Sequence, residues 1–405
     1  MGAVAKSMNH PYSNLDMTFG DLKIIMSRFA SGTMECLEKW DGTNMHWYIA
    51  EDGEPRFARN FTDVKSNGAT IEEMKKRLKN HPAREQFVRG MEAIYSTKEK
   101  VNWTLRRDGT YWINCEIVDK DNPQCIKYDE DCIVWHLLVT PNEKKNGMIP
   151  VIGSQMTAFV EMLTNCMRHG DFDGWKVYGP MYLYMGDKHA TKEIVECFDG
   201  LSQLLEQEGL GLSNTFEDLV IKKTKEQGIK AGVPDEELDR LCSLVLSKKP
   251  APRIQTLRKL ADSEELINSM CLHKNRVHWI NRCRADIVTL WEKFSAQIIY
   301  GVRSNLIEDP EAATDRLRRI VEWNVVEAKQ REESHPAIWK DLNVNLVRFE
   351  RLKVEPPIIE GAVFTWKDAT YKMTGAFPSL NRVCGAVRYP LGMSFPEGGE
   401  ECKLD

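Results

Sequence analysis

The sequence predicts an α+β protein whose antiparallel-sheet domain is split by a large all-α insertion, and three observations predict it. Short β-rich runs separated by turn signals fill the first third of the chain, an unbroken helical periodicity follows, and β character returns near the end.

The early strands are MHWYIA (45–50), TYWINCEIV (110–118) and CIVWHLLV (132–139), parted by turns at Asp52-Gly53, Asp108-Gly109 and Asp121-Asn122-Pro123. Helices interrupt them over 70–79 and 82–95. From Ser154 to Lys329 apolar residues recur at three and four, as in FVEMLTNCM, EIVECFDGLSQLL, DIVTLWEKFSAQII and RLRRIVEWNVVEA. Breaks fall at Gly209 to Gly211, Val233-Pro234 and Pro250-Ala251-Pro252. After Val344 the runs LVRFERL, GAVFTW and ATYKM read as strands. The expected division is therefore 1–150 for the first segment of the sheet domain, 151–344 for the helical insertion and 345–405 for the segment completing the sheet.

With 405 residues, 42% of them hydrophobic and 28% charged, the chain can bury a sizeable core. Its 55 Lys and Arg against 60 Asp and Glu give a net charge of −5, which excludes a histone-like polycation. Any nucleic acid must be met by a local patch. The opening MGAVAKSMNHPYSN has no apolar core of a leader, and no stretch approaches the roughly 20 apolar residues of a membrane span, so a soluble, cytoplasmic protein without membrane partners is expected. Eleven scattered Cys without a C-x-x-C are expected to be reduced and mostly buried.

Three segments place a charged residue on or beside a strand. Lys39 lies in Leu37-Glu38-Lys39-Trp40-Asp41-Gly42-Thr43-Asn44, just before the first strand, where a glycine turn can present an amine into a cleft as a nucleophile. The same stretch also suits a solvated lysine ahead of an Asp-Gly turn. In WINCEIV, alternation puts Trp112, Asn114, Glu116 and Val118 on one face, so Glu116 is either solvated or lines a site. Glu360 precedes GAVFTW, and Lys372 follows in Tyr371-Lys372-Met373; each has an ordinary surface reading too.

Taken in order, Lys-x-Asp-Gly-x-Asn, a later Arg, a strand Glu, a Glu-Gly and a strand Lys resemble the motif series of the covalent nucleotidyltransferases, the ATP-dependent ligases and capping enzymes. Within that superfamily the chain looks like the bacteriophage RNA ligase branch. The matching residues are Lys39, Asp41, Gly42 and Asn44 in the first motif, then Arg59, Glu116, Glu360-Gly361 and Lys372. The chain ends 33 residues past Lys372, too few for the roughly 80 to 100 residues of the OB domain that DNA ligases and capping enzymes append. A second motif lysine one residue from Lys372 is absent, Lys367 being the nearest.

The resemblance implies a nucleotidyltransferase (adenylyltransferase) domain acting as an ATP-dependent RNA ligase. Lys39 would take AMP from ATP, pass it to an RNA 5′-phosphate, and a 3′-hydroxyl end would then expel it. Lys372 and Mg²⁺, or Mn²⁺ in its place, would neutralise charge at the α-phosphate. Asp41, Glu116 and Glu360 would hold the metal, Glu116 the ribose as an alternative, and Glu38 would read the adenine amino group. Arg59 would steady the nucleotide or a 5′-phosphate, Asn44 would serve the later steps, and Trp135 is the candidate for stacking on adenine. If the chain is phage-encoded, its compartment is the host cytoplasm. A nick-sealing DNA ligase of the same chemistry and a non-catalytic nucleic-acid-binding relative are the rival readings.

Within the insertion, Lys248 to Arg303 carries 11 Lys and Arg against five acids, interleaved with His278, Trp279 and Trp291. This is a candidate RNA-backbone surface with Arg276, Arg282 and Arg284 as its contacts; the rival reading is a helical bundle with a basic outer face.

Overall fold

The computed structural model describes residues 8–98, 103–142, 147–169, 172–188, 191–247 and 273–393, with the backbone alone at 169 and 273–276. The chain is mixed α and β with antiparallel sheets and many helices. It falls into two compact units: Met1–Met8 with Glu35–Met185 and Ile299–Asp405, and Asn9–Met34 with Gly186–Ile298. No helix among the described residues is long and apolar enough to cross a membrane.

The first unit holds both sheets. Strands β1 (Cys36–Lys39), β2 (Thr43–Ile49), β3 (Pro55–Ala58), β4 (Trp112–Val118), β5 (Cys132–Asn142), β6 (Gly147–Pro150), β7 (Lys176–Tyr178), β8 (Gly361–Trp366) and β9 (Ala369–Met373) divide between them. A three-stranded sheet runs β1-β8-β9 and a six-stranded sheet β3-β2-β4-β5-β6, with β7 added parallel to β5. Thus the chain crosses from one sheet to the other at the turn Trp40-Asp41-Gly42, immediately after Lys39.

Alternation explains which face of each sheet is core. In the larger sheet Met45, Trp47, Ile113, Cys115, Ile117 and Trp135 are fully buried in one apolar cluster. In the smaller sheet Cys36, Glu38, Ala362, Phe364, Tyr371 and Met373 are buried, while Leu37, Val363 and Lys372 on the other face are half-buried. The helix over Ile71–Arg77 begins where expected, with a capping box from Thr70 and Glu73. All nine described cysteines are free and buried.

Three expectations about organisation are corrected. The run LVRFERL is not a strand: it ends the helix Pro336–Glu350, which Pro336 opens at its first position and whose three-and-four spacing of Ile338, Leu342, Asn345 and Phe349 outweighs the short local alternation. A strand, β7, lies inside the block read as purely helical. The unit boundaries fall at 34, 185 and 298 rather than at 150 and 344. The helices Ser154–His169 and Pro310–Gln330 belong to the sheet-bearing unit because Phe159, Met162, Leu317 and Ile320 complete its cores.

The second unit is helical. Its helix Phe19–Ala30, capped by the Thr18 side chain, sets Phe19 edge-on to Phe216 at 5.0 Å. Trp279 closes a core with Val220, Leu238 and Leu241, and its indole N–H donates to the buried Thr224 hydroxyl at 3.0 Å.

Candidate active site

The site is built on the turn that joins the two sheets. Lys39 ends β1, pairs with Gly361 across the smaller sheet, and is 3% exposed. Its Nζ lies 2.5 Å from Glu360 Oε1. Val363 pairs with Lys372, so Lys39 and Lys372 share the half-open face of this sheet. Burial, then the charge of Lys39, depresses the Lys372 ammonium, and Glu360 partly restores it.

Both motif glycines are explained by close approach. A Cβ on Gly42 would lie 2.5 Å from Ile117 O and 2.7 Å from Glu116 Cγ. One on Gly361 would lie 2.1 Å from Met373 O.

Three buried carboxylates surround Lys39, each held differently. Asp41 Oδ2 accepts from the peptide N–H groups of Cys125 and Ile126, both at 2.8 Å, and its own N–H donates to Tyr128 Oη at 2.8 Å. Burial still pushes its carboxyl up to about 6. Glu116 Oε1 accepts from Gly42 N–H at 3.2 Å and Oε2 lies 3.2 Å from His136 Nε2. Burial alone would raise Glu116, but the His136 hydrogen bond and the Lys39 charge hold it below the usual carboxylate range. Glu360 is pushed up to about 7 by burial, with Glu116 and Asp41 adding to the shift and Lys39 opposing it.

Beyond Glu116 the same face of the larger sheet is polar and enclosed. Asn44 pairs with Glu116 and His46 with Asn114 in register. Asn114 Nδ2 lies 3.0 Å from His46 Nε2, while His46 Nδ1 is buried without a hydrogen-bond partner. Burial lowers His46 to about 3, so the ring is neutral. Gln124 Nε2 donates to Gly42 O at 2.7 Å and to Thr43 Oγ1 at 2.9 Å, and Thr43 bonds Gln86, which fixes the turn from below.

Of the residues singled out in the sequence, Lys39, Asp41, Asn44, Glu116, Glu360 and Lys372 are brought together. The others are not. Trp135 is fully buried, edge-on to Trp47 at 5.4 Å and stacked on Phe159 at 6.1 Å, so it is core on the face away from Glu116. Glu38 lies on the opposite face of β1 from Lys39; its carboxylate accepts from Ser304 Oγ and, at 2.8 Å each, from the backbone and side-chain N–H groups of Asn305. Three hydrogen bonds thus hold this carboxylate on the face away from Lys39. Arg59 follows β3 beside His81, whose imidazole its charge helps to lower after burial.

The expected metal set also changes. Among the described residues Asp41, Glu116 and Glu360 are not one group of converging ligand atoms; that geometry belongs to Asp119, Asp121 and Asp131. Glu360 and Glu116 still fit a hard cation, because such a site needs one or two carboxylates completed by water and phosphate oxygens.

The basic stretch is reduced. Arg284 is half-buried, donating to Tyr12 O at 2.5 Å and Asn281 Oδ1 at 2.7 Å, with Tyr12's ring beneath it. Trp279 and Trp291 are buried. Arg282 is exposed, whereas residues 248–272 and the side chain of Arg276 lie outside the described residues.

His136, His46, Tyr128, Gln86 and Gln124 are site residues the sequence did not single out. His136 and His46 stand as polar residues inside otherwise apolar strand runs, a signal that could have marked them. Gln86 and Gln124 carry no local signal.

No family profile and no solved structure matches the chain. Among curated proteins, BICD family-like cargo adapter 1 from Xenopus tropicalis is 26% identical over 157 residues, which are 38% of this chain. The chain spans 24% of the length of that relative.

Proposed function

We propose that the chain is an ATP-dependent RNA ligase whose sheet-bearing unit is an adenylyltransferase domain, with AMP carried on Lys39. The observation that carries this reading is the buried Lys39 amine 2.5 Å from Glu360, on the sheet face it shares with Lys372. A carboxyl pushed up to about 7 is suited to taking the amine proton near neutral pH. Lys39 then attacks the α-phosphorus: the N–P bond forms, the bond to the bridging oxygen breaks and pyrophosphate leaves. Lys372 stands where charge spreads over the phosphate oxygens. Bound Mg²⁺ or Mn²⁺, held by Glu116 and Glu360, would supply further charge neutralisation. The enclosed polar face with His46, Asn114 and Asn44 receives the nucleoside. An RNA 5′-phosphate takes the AMP from Lys39, and the 3′-hydroxyl of a second end displaces it; Asn44 serves these steps.

The test is a joining assay with ATP, Mg²⁺ and 5′-phosphorylated strands ending in RNA or DNA 3′-hydroxyls. Sealing of RNA ends is expected. Sealing of DNA nicks alone would give the function to a DNA ligase, and no sealing with no labelled protein would leave a non-catalytic nucleic-acid-binding relative.

A further inference from the structure

The segment Pro180 to Met185 is bound to β1 as an extra antiparallel edge. Glu38 N–H donates to Met181 O at 2.8 Å, Leu183 N–H to Cys36 O at 2.9 Å, and Leu37 faces Tyr182 across the bridge. Asn305 Nδ2, already on the Glu38 carboxylate, also donates to Tyr182 O at 3.2 Å. The backbone is therefore fixed on both sides. Burial alternates along it: Leu183 and Met185 are buried, while Tyr182 and Tyr184 are 74% and 88% exposed.

Directly paired residues project to the same side of a sheet, so Tyr182, Leu37, Val363 and Lys372 form one row across the half-open face, one step along from Lys39. Tyr182 lies in the row that ends at Lys372 and Tyr184 one step farther from Lys39, both rings bare on a segment whose other face is core. Residues two apart on an extended strand lie roughly 6.6 Å apart, about twice the 3.4 Å rise of stacked bases. One base fits between such rings, or successive bases over them. Lys372, at the far end of the same row, is the positive charge this face offers a phosphate backbone.

The geometry points to Tyr182 and Tyr184 as a stacking platform for unpaired bases of the RNA strand whose end reaches Lys39. This deepens the ligase reading and rests on it. Stacking tolerates any base, so the platform selects single-stranded ends over sequence.

The test is fluorescence anisotropy of a labelled single-stranded RNA 12-mer with the full chain at low salt, run beside AMP labelling of Lys39. Tyr182→Ala/Tyr184→Ala is expected to weaken binding by roughly tenfold or more, and Tyr182→Phe/Tyr184→Phe to stay within about twofold, since the ring and not the hydroxyl does the stacking. Affinity unchanged in the double Ala variant would overturn the platform. So would loss of Lys39 labelling in that variant, because the rings would then serve ATP or the fold. Failure of the ligase reading is distinct: it shows as no label on the unmodified chain.

Discussion

The sheet-bearing unit holds two groups of three carboxylates around one cation, and they differ in whether a proton can move. Arg89 ion-pairs with Asp119, with Asp121 at 3.2 Å and with Asp131 at 3.2 Å. Its guanidinium stays charged at any working pH, and Asp119 is further tied to the N–H groups of Asp121 and Asn122. Around Lys39 the cation is a buried lysine, and its partner Glu360 has a carboxyl pushed up to about 7. The Arg89 group has the tighter convergence of oxygens, yet its cation is built in and its hydrogen bonds are closed. The two groups thus share a high density of acids and differ in the cation, a fixed guanidinium in one and a buried lysine beside a raised carboxyl in the other.

Exchanging roles between these groups separates them, and the largest effect is expected at Lys372. Lys372→Ala should slow AMP transfer to Lys39 by about a hundredfold or more while thermal unfolding moves little, as befits a charge acting on the transition state. Arg89→Ala should do the reverse: about 1–3 kcal/mol of stability lost in a urea melt, after discounting for its 30% exposed side chain, with labelling at the unmodified rate.

A pH series gives a smaller but signed effect. Between its ordinary value of 4.5 and about 7, the folded chain keeps on Glu360 a proton that the unfolded chain has lost. Stability from this group therefore falls as pH rises through that window. Glu360→Gln should flatten this trend in urea melts of the metal-free chain across about pH 5 to 8. The smallest change is expected at exposed Arg282, where Ala should lower the salt dependence of RNA binding by about one unit of slope.

Much of this arrangement was legible in the sequence, because it is written in short periods. The strands WINCEIV, CIVWHLLV, GAVFTW and ATYKM stand close to where alternation puts them, and the glycines of Lys-x-Asp-Gly and Glu-Gly mark close backbone approaches. What was not legible depends on pairing across the chain. Trp135 and His136 are neighbours on one strand with opposite fates, and only the register with β4 says which faces Glu116. Glu38 looks like a neighbour of the Lys39 amine until the 304–305 loop is seen to hold its carboxylate on the other face of β1. Arg284 looks like a free cation until Tyr12, far away in sequence, is found beneath it.

The central claim is that Lys39 is a nucleophile. Its most direct test is peptide mass spectrometry of the full chain after incubation with ATP and Mg²⁺, beside Lys39→Ala. The account predicts one AMP bound through nitrogen on the peptide containing Lys39, acid-labile and absent from the variant. An unmodified Lys39 peptide, or AMP retained elsewhere in Lys39→Ala, would contradict it.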